Sequence, residues 1–448
     1  MSSEKLSAEV KEKYENTYRK RTPKSQAATK KAEKFMPGGQ TRRGTFYPPY
    51  PIWVDKAEGC KLTDVDGNEY IDFHNCYTTM IVGHGNPKVL EAIRQQLLKS
   101  TADSTMSLPV IHWAELMCQR VKSVDEIRFT NSGTEGAMGA VRGARGFTGK
   151  DKIIKIEGCF HGSWDPTVYP TKALGLPQSI LGDSILIPYN DEKAAEKAIV
   201  ENKDQLAALI IEGQMGVAGQ IPPKKGYLSF LRKITAENNV LLILDEVQSF
   251  RLDHGGLQHA EGIKPDLTVF GKIIGGGLPA GAFGGRKDIM ELFSPWTNKI
   301  SHTGTFSGNP VTASAGIATL ELVTPEAIAR LNKLGDDLAT GLRKVFAKLN
   351  IKGQVTGIGS LKNIHFSPVP VVDGRTGAEA NKDIIHLLHL ALMERGIFIA
   401  SRGMFDTTIP MTDKEIDIAI KAVDDSLTEM LPYIQQLWPE LIGTPVGT

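Results

Sequence analysis

The stretch that most constrains this chain is Val240-Leu241-Leu242-Ile243-Leu244-Asp245-Glu246-Val247-Gln248-Ser249. Its apolar run is unbroken and leads straight into two acids. A strand that is apolar at every position, rather than every second one, predicts burial on both faces, as in a parallel sheet covered by helices. The acids then fall at the strand's carboxyl end, the edge where such sheets bind ligands. A second apolar strand, Leu267-Thr268-Val269-Phe270, runs into Gly271-Lys272-Ile273-Ile274-Gly275-Gly276-Gly277-Leu278-Pro279. An acid and a lysine at two such strand ends predict one crevice that both face.

Other segments follow the same plan. Ala207-Ala208-Leu209-Ile210-Ile211-Glu212 is a further buried strand with an acid at its end. Glu126 to Thr130 predicts a short strand leading into Asn131-Ser132-Gly133-Thr134-Glu135-Gly136-Ala137, the start of a helix rich in Ala and Gly. Small residues there let backbone N–H groups approach an anion, and the helix start adds partial positive charge. An ordinary Ser/Thr cap is the plain alternative. The strand Lys152 to Ile156 ends at Gly158-Cys159-Phe160-His161-Gly162. Phe160 suits stacking on a flat ring with His161 hydrogen-bonded beside it, although a Phe-His pair is more often core packing. Strands alternating with helices predict an α/β fold built on a doubly wound sheet.

Composition excludes several classes. The chain has 448 residues, 41% of them hydrophobic, enough for more than one domain. Lys+Arg number 52 against 51 Asp+Glu, so neither nucleic acid nor a membrane surface is an expected partner. No apolar run reaches the ~18 residues of a spanning helix. The charged start, Met1-Ser2-Ser3-Glu4-Lys5, lacks a signal peptide's apolar core. Cys60, Cys76, Cys118 and Cys159 are scattered, which fits a reducing, cytoplasmic setting and no metal site. Asp64-Val65-Asp66-Gly67-Asn68 reads as a turn, because it lacks the calcium-loop pattern.

Residues up to about Lys34 predict a helix on the surface, broken by Pro37-Gly38-Gly39. Arg42 and Arg43 follow beside aromatics, either as a solvated loop or as a carboxylate clamp. Short strands flank the Asp64–Asn68 turn. A helix from Asn86-Pro87 to Leu98 would bury Val89, Leu90, Ile93 and Leu97. The expected division is an N-terminal segment (1–75) joining the small domain, a large domain (76–325) and a C-terminal small domain (326–448). In the last, helices are expected over Ile328 to Leu349 and Lys382 to Arg395, and a strand over Gly396 to Ala400. Short strands are expected near Val355 to Ile358 and Lys362 to Phe366. Thr412 with Glu415 forms a capping box for a final helix.

A lysine and an acid in a glycine-rich setting is what pyridoxal phosphate chemistry needs: a Schiff-base amine and a partner for the pyridine nitrogen. The ordered set Asn131-Ser132-Gly133-Thr134-Glu135, Phe160-His161-Gly162, Asp245-Glu246-Val247, Gly271 to Pro279 and Gly304-Thr305-Phe306-Ser307-Gly308-Asn309-Pro310 resembles the class III (ω-type) aminotransferases of fold type I. The resemblance runs from about Pro37 to Leu427. It implies a large, mainly parallel seven-stranded-type sheet domain with a smaller α+β domain. It also implies pyridoxal 5′-phosphate held by Lys272, which would shuttle the substrate proton, and Asp245 paired with the ring nitrogen. Val247 and Phe160 would press the two ring faces. Ser132, Gly133 and Thr134 would bind the phosphate, and Thr305 would reach the phosphate of a partner subunit, implying a homodimer with shared sites. Glu212 and His161 would support these groups, and Gln248 would serve the ring hydroxyl.

Two subfamilies are close: aminotransferases of β-amino acids or aryl amino acids, and glutamate-1-semialdehyde 2,1-aminomutases. Three departures weigh against the aminomutase. Gly213 follows Glu212 where proline is usual. Val217 stands where the aminomutase has an asparagine on the ring hydroxyl. Ala400-Ser401-Arg402-Gly403-Met404-Phe405-Asp406 replaces a Ser-x-Phe-Glu-Ala segment. Arg402 offers a planar fork suited to a carboxylate, a surface ion pair being the plain alternative. The expectation is that Arg42 (or else Arg43) and Arg402 bind carboxylates, and that an amino group passes from a β-amino acid to a 2-oxo acid by a ping-pong route. The alternative is the aminomutase. A racemase or decarboxylase would share the cofactor set. A dinucleotide enzyme is excluded, since no Gly-x-Gly-x-x-Gly follows an early strand.

Overall fold

The computed structural model describes residues 3–168 and 174–445. Two helices, Ser3–Arg21 and Pro23–Ala32, precede three short strands, β1 (Val54–Glu58), β2 (Lys61–Asp64) and β3 (Glu69–Asp72). Then come β4 (Glu126–Thr130), β5 (Lys152–Ile156), β6 (Ser184–Ile187), β7 (Leu206–Glu212), β8 (Leu241–Asp245), β9 (Leu267–Gly271) and β10 (Gly281–Gly285). These seven form one sheet in the order β4-β10-β9-β8-β7-β5-β6. Only β10 runs against its neighbours, pairing antiparallel with β4 and β9.

The unbroken apolar runs explain this sheet. Alternate strand residues point to opposite faces. Ala208, Ile210, Leu241, Ile243, Leu267 and Val269 pack with Ala137, Ala140, Val141 and Ala144 of the helix Gly133–Thr148. Their neighbours Leu209, Ile211, Leu242 and Leu244 pack with Leu228 and Leu231 of the helix Tyr227–Glu237. Each such Val, Leu or Ile side chain, fully withdrawn from water, contributes about 1.5–3 kcal/mol. Gly139 shows how close the helix lies: a Cβ there would sit 2.3 Å from Cε1 of buried Phe283 on β10.

The remaining strands are β11 (Gly353–Thr356), β12 (Leu361–Phe366), β13 (Ile397–Phe398) and β14 (Met404–Asp406). β11, β12 and β14 form an antiparallel sheet, while β13 pairs parallel with β3 in the order β1-β2-β3-β13. Helices Pro325–Leu349, Lys382–Glu394 and Asp413–Leu437 cover them around a single apolar cluster. The Thr412–Glu415 capping box forms as the sequence predicts.

Four local expectations change. The single N-terminal surface helix is two, because Pro23 brings no N–H to continue the first. Val10, Tyr14 and Tyr18, spaced at i, i+4 and i+8, enter the core instead of lying on the surface. Leu90 and Leu97 are half-exposed, and buried Gln96 takes a place facing the core on that helix. The strand expected over Gly396 to Ala400 shrinks to Ile397–Phe398, the two residues that find partners on β3.

Candidate active site

The sheet register brings the acids together. Glu212 on β7 is paired with Asp245 on β8, and Asp245 with Val269 on β9. Lys272 follows β9 directly, at φ +52°. That left-handed conformation strains a residue with a side chain. Buried Ile273 and Ile274 just beyond it anchor the turn.

A cleft of about 480 Å³ opens at this edge. Of the sequence candidates, Arg42, Ser132, Gly133, Thr134, Phe160, His161, Glu212, Asp245, Val247, Gln248 and Lys272 line it. Ser132 caps the helix Gly133–Thr148, its Oγ accepting the Glu135 N–H at 3.2 Å, so the first turn presents backbone N–H groups to the cleft. Gly162 lets the next loop close over that turn: a Cβ there would lie 2.2 Å from Thr134 Oγ1, and φ is +89°.

Asp245 is nearly fully buried. Its Oδ2 lies 2.8 Å from His161 Nδ1, and its Oδ1 accepts the Val247 N–H at 2.9 Å. The second acid at this strand end faces elsewhere. Glu246 accepts the N–H groups of Leu257 at 3.0 Å and Gln258 at 2.8 Å and holds that loop. Strand alternation separates the two. Glu212 accepts from the Phe160 N–H at 2.9 Å and the Gly216 N–H at 3.2 Å. Burial, reinforced by the Asp245 charge, pushes its carboxyl up to about 7. Burial lowers the Lys272 amine below the ordinary lysine range, against the opposing pull of Asp245 and Glu212, and Arg402 adds to the lowering.

Arg402 stands beside the cleft rather than in its lining. Its guanidinium carbon lies 4.9 Å from the centre of the Tyr77 ring. Arg43 is exposed and outside the lining. Thr305 lines a different groove, with Ser107 and Asn309. Val217 also lies outside the lining, whereas Gln248 is in it and accepts a 3.1 Å hydrogen bond from Gln220.

Sequence reading missed Cys76 and Thr79, which also line the cleft. Cys76 belongs to a left-handed turn in which Asn75, Cys76, Tyr77 and Thr78 all have positive φ. No glycine marks that turn, so the sequence carries no signal for it. Cys76 Sγ lies 3.6 Å from Arg42 Nη1, and both residues also border an adjoining, largely apolar cavity of about 520 Å³.

The residues present fit pyridoxal phosphate. Among the described residues no hydrogen bond engages the Lys272 amine, and its cationic form is disfavoured. A buried carboxylate stands in the same cleft, His161 keeps a buried Nε2 without a partner, and a helix start faces the same space. The fold and this donor set together define a pyridoxal-phosphate-dependent enzyme of fold type I.

The chain belongs to the class III aminotransferases: the family model "Aminotransferase class-III" matches residues 45–427. A glutamate-1-semialdehyde 2,1-aminomutase from Methanocaldococcus jannaschii is 40% identical over 416 residues, covering 90% of this chain and 97% of that protein. Among solved structures, a β-phenylalanine aminotransferase from Variovorax paradoxus superposes with a TM-score of 0.90 at 32% identity, covering 99% of this chain and 100% of the other. An ω-transaminase from Sphaerobacter thermophilus gives 0.87 at 36% identity, covering 90% and 97%.

Proposed function

We propose that this chain is an aminotransferase that takes an amino group from a carboxylate-bearing amino acid, a β-amino acid in the first reading, and passes it to a 2-oxo acid. Pyridoxal phosphate, when bound, supplies the electron sink for the carbanion. The chain's own residues do the rest. Lys272 holds the cofactor and then, as an amine that gives up its proton easily, takes the proton from the substrate carbon and returns it. Asp245, oriented by His161 and the Val247 N–H, would partner the pyridine nitrogen and favour its protonated form. The start of the helix Gly133–Thr148 binds the phosphate. Phe160, Val247 and Gln248, which line the same cleft, would hold the ring. Arg42 and Arg402 receive carboxylates.

The observation that carries this reading is Arg402. Its guanidinium lies over the Tyr77 ring, and its Nε is buried with no partner among the described residues, which leaves its planar fork available to a carboxylate. The second reading is glutamate-1-semialdehyde 2,1-aminomutase. The names of the sequence relatives favour it over the first reading. Holoenzyme offered β-phenylalanine with pyruvate or 2-oxoglutarate should form the new amino acid. Turnover of the semialdehyde alone, with no transfer from any amino acid, would install the second reading instead.

Homodimerisation belongs to the same proposal. Exposed Met106 lines the same groove as Thr305, and Leu98, Leu108 and Ile111 are exposed as well, so they supply apolar area for a partner. Among the described residues no helix is long and apolar enough to cross a membrane. The four free cysteines support the expected reducing compartment.

A further inference from the structure

Asp406 closes β14 with its side chain fully buried. Its main chain is pinned: the N–H donates to Phe73 O at 2.7 Å, and the carbonyl accepts from Asn75 Nδ2 at 2.9 Å. Among the described residues neither carboxyl oxygen has a hydrogen-bond partner. A buried carboxyl in that condition is costly unless another role retains it.

The charges around it are unequally committed. Arg251 is engaged by Ser360 Oγ at 3.2 Å, Thr78 O at 3.1 Å and Thr407 O. Asp72 accepts the N–H groups of His74 at 2.8 Å and Asn75 at 2.9 Å, and it pairs with His84 at 2.8 Å. Arg402 is different. Among the described residues its Nε is buried without a partner, and its Nη2 reaches only Met404 Sδ at 3.8 Å. So Arg402 and Asp406, on one short segment, are a cation and a buried acid, each with unmet hydrogen-bonding capacity.

We propose that Asp406 is a positioning residue that acts as the proton-accepting counter-group of Arg402: a substrate carboxylate arriving at Arg402 draws a proton onto Asp406. The inference rests on the reading that Arg402 receives a carboxylate. Burial pushes the Asp406 carboxyl up to about 8, while Arg251 and Arg402 pull it down, Asp72 adds to the rise and Lys272 opposes it. A carboxylate on Arg402 cancels one of the charges that favour ionised Asp406, so the acid then holds its proton more tightly. At higher pH Asp406 ionises, its negative charge opposes that of an arriving carboxylate, and affinity falls.

The other titratable groups around the pair are Lys272, Asp72 with His84, His74, Arg251 and Arg42. Burial lowers His74 to about 4, so it stays neutral through this window. Burial lowers Arg251 only to about 10, so it stays charged.

The test is calorimetric binding of succinate, an unreactive dicarboxylate, to the holoenzyme at pH ~8.5 in two buffers of different ionisation enthalpy. The wild type should take up about half a proton per site, and its affinity should fall about threefold between pH ~7.5 and ~9. Asp406→Asn should abolish both effects, and Asp406→Ser should match it; cofactor absorbance confirms that each variant is folded. If Arg402→Ala weakens succinate binding but Asp406→Asn leaves proton uptake and the pH trend intact, the inference alone falls. If Arg402→Ala binds succinate as the wild type does, the carboxylate role of Arg402 falls and takes the inference with it.

Discussion

Nδ1 of His161 lies 2.8 Å from Oδ2 of Asp245, while the other oxygen of the same carboxylate accepts the Val247 N–H. The carboxylate is therefore held from two sides, leaving its direction little freedom. A hydrogen bond to a charged group contributes about 1.5–3 kcal/mol. His161→Ala should accordingly weaken cofactor binding by roughly tenfold or more, read by titrating apoprotein with pyridoxal phosphate. Unchanged affinity would show that Val247 alone orients Asp245.

Lys272 gives the sharpest catalytic prediction. Its amine is shifted toward the neutral, nucleophilic form by burial. Lys272→Ala should retain the fold, lose the visible band of covalently held cofactor and lower turnover toward the upper part of about 10²–10⁴-fold. Visible spectra and single-turnover kinetics read both. Wild-type turnover in the variant would end the assignment of this lysine.

Glu212 links the site to stability. Its folded carboxyl sits at about 7, above the ordinary 4.5. Below the unfolded value both states are protonated and no penalty arises. As pH rises through this window the unfolded chain loses its proton first, and the buried acid destabilises the fold, by up to about 3 kcal/mol above pH 7. Glu212→Gln should remove that dependence. Urea midpoints of the two apoproteins should therefore shift in the variant's favour between pH 5 and pH 8. A gap between them that is constant with pH would contradict the burial argument.

Arg402 is predicted to act through its planar fork. Arg402→Lys keeps the charge but loses paired N–H geometry and stacking on Tyr77. The KM for a carboxylate-bearing donor should rise about tenfold with little change in kcat, while an arylalkylamine without a carboxylate should be unaffected. Equal losses for both donors would assign Arg402 to structure.

Gly139 tests the close approach of helix and sheet. Alanine is better than glycine in a helix by about 1 kcal/mol. Here, however, its Cβ would collide with the ring of Phe283, which is itself packed edge-on against Phe293 at 5.0 Å. Gly139→Ala should thus destabilise by about 1–3 kcal/mol net in denaturant melts. A stabilised variant would mean that Phe283 can move aside.

Much of the site was legible because it is built from strand ends. The runs Leu241–Asp245 and Leu267–Gly271 carry their own evidence of double-sided burial, and the residues that follow them must emerge at the sheet's carboxyl edge. Ser132 and the small residues after it likewise announce a helix start. Other features were silent. Nothing local tells Asp245 from Glu246; the partners of Glu246, Leu257 and Gln258, come from a loop reached only through folding. The left-handed turn at Asn75–Thr78 has no glycine to betray it, so Cys76 and Thr79 went unread.

By itself, then, the sequence determined the parallel sheet, its helical covering and the lysine and acids at its edge, because each follows from apolar periodicity within a few residues. The tertiary structure alone decided that Glu246 turns away to hold the Leu257–Gln258 loop, that Arg402 stands beside the cleft over Tyr77 while Thr305 lies in a separate groove, and that Asp406 is buried with no partner among the described residues. Those outcomes depend on contacts between segments far apart in the chain, and no local pattern encodes them.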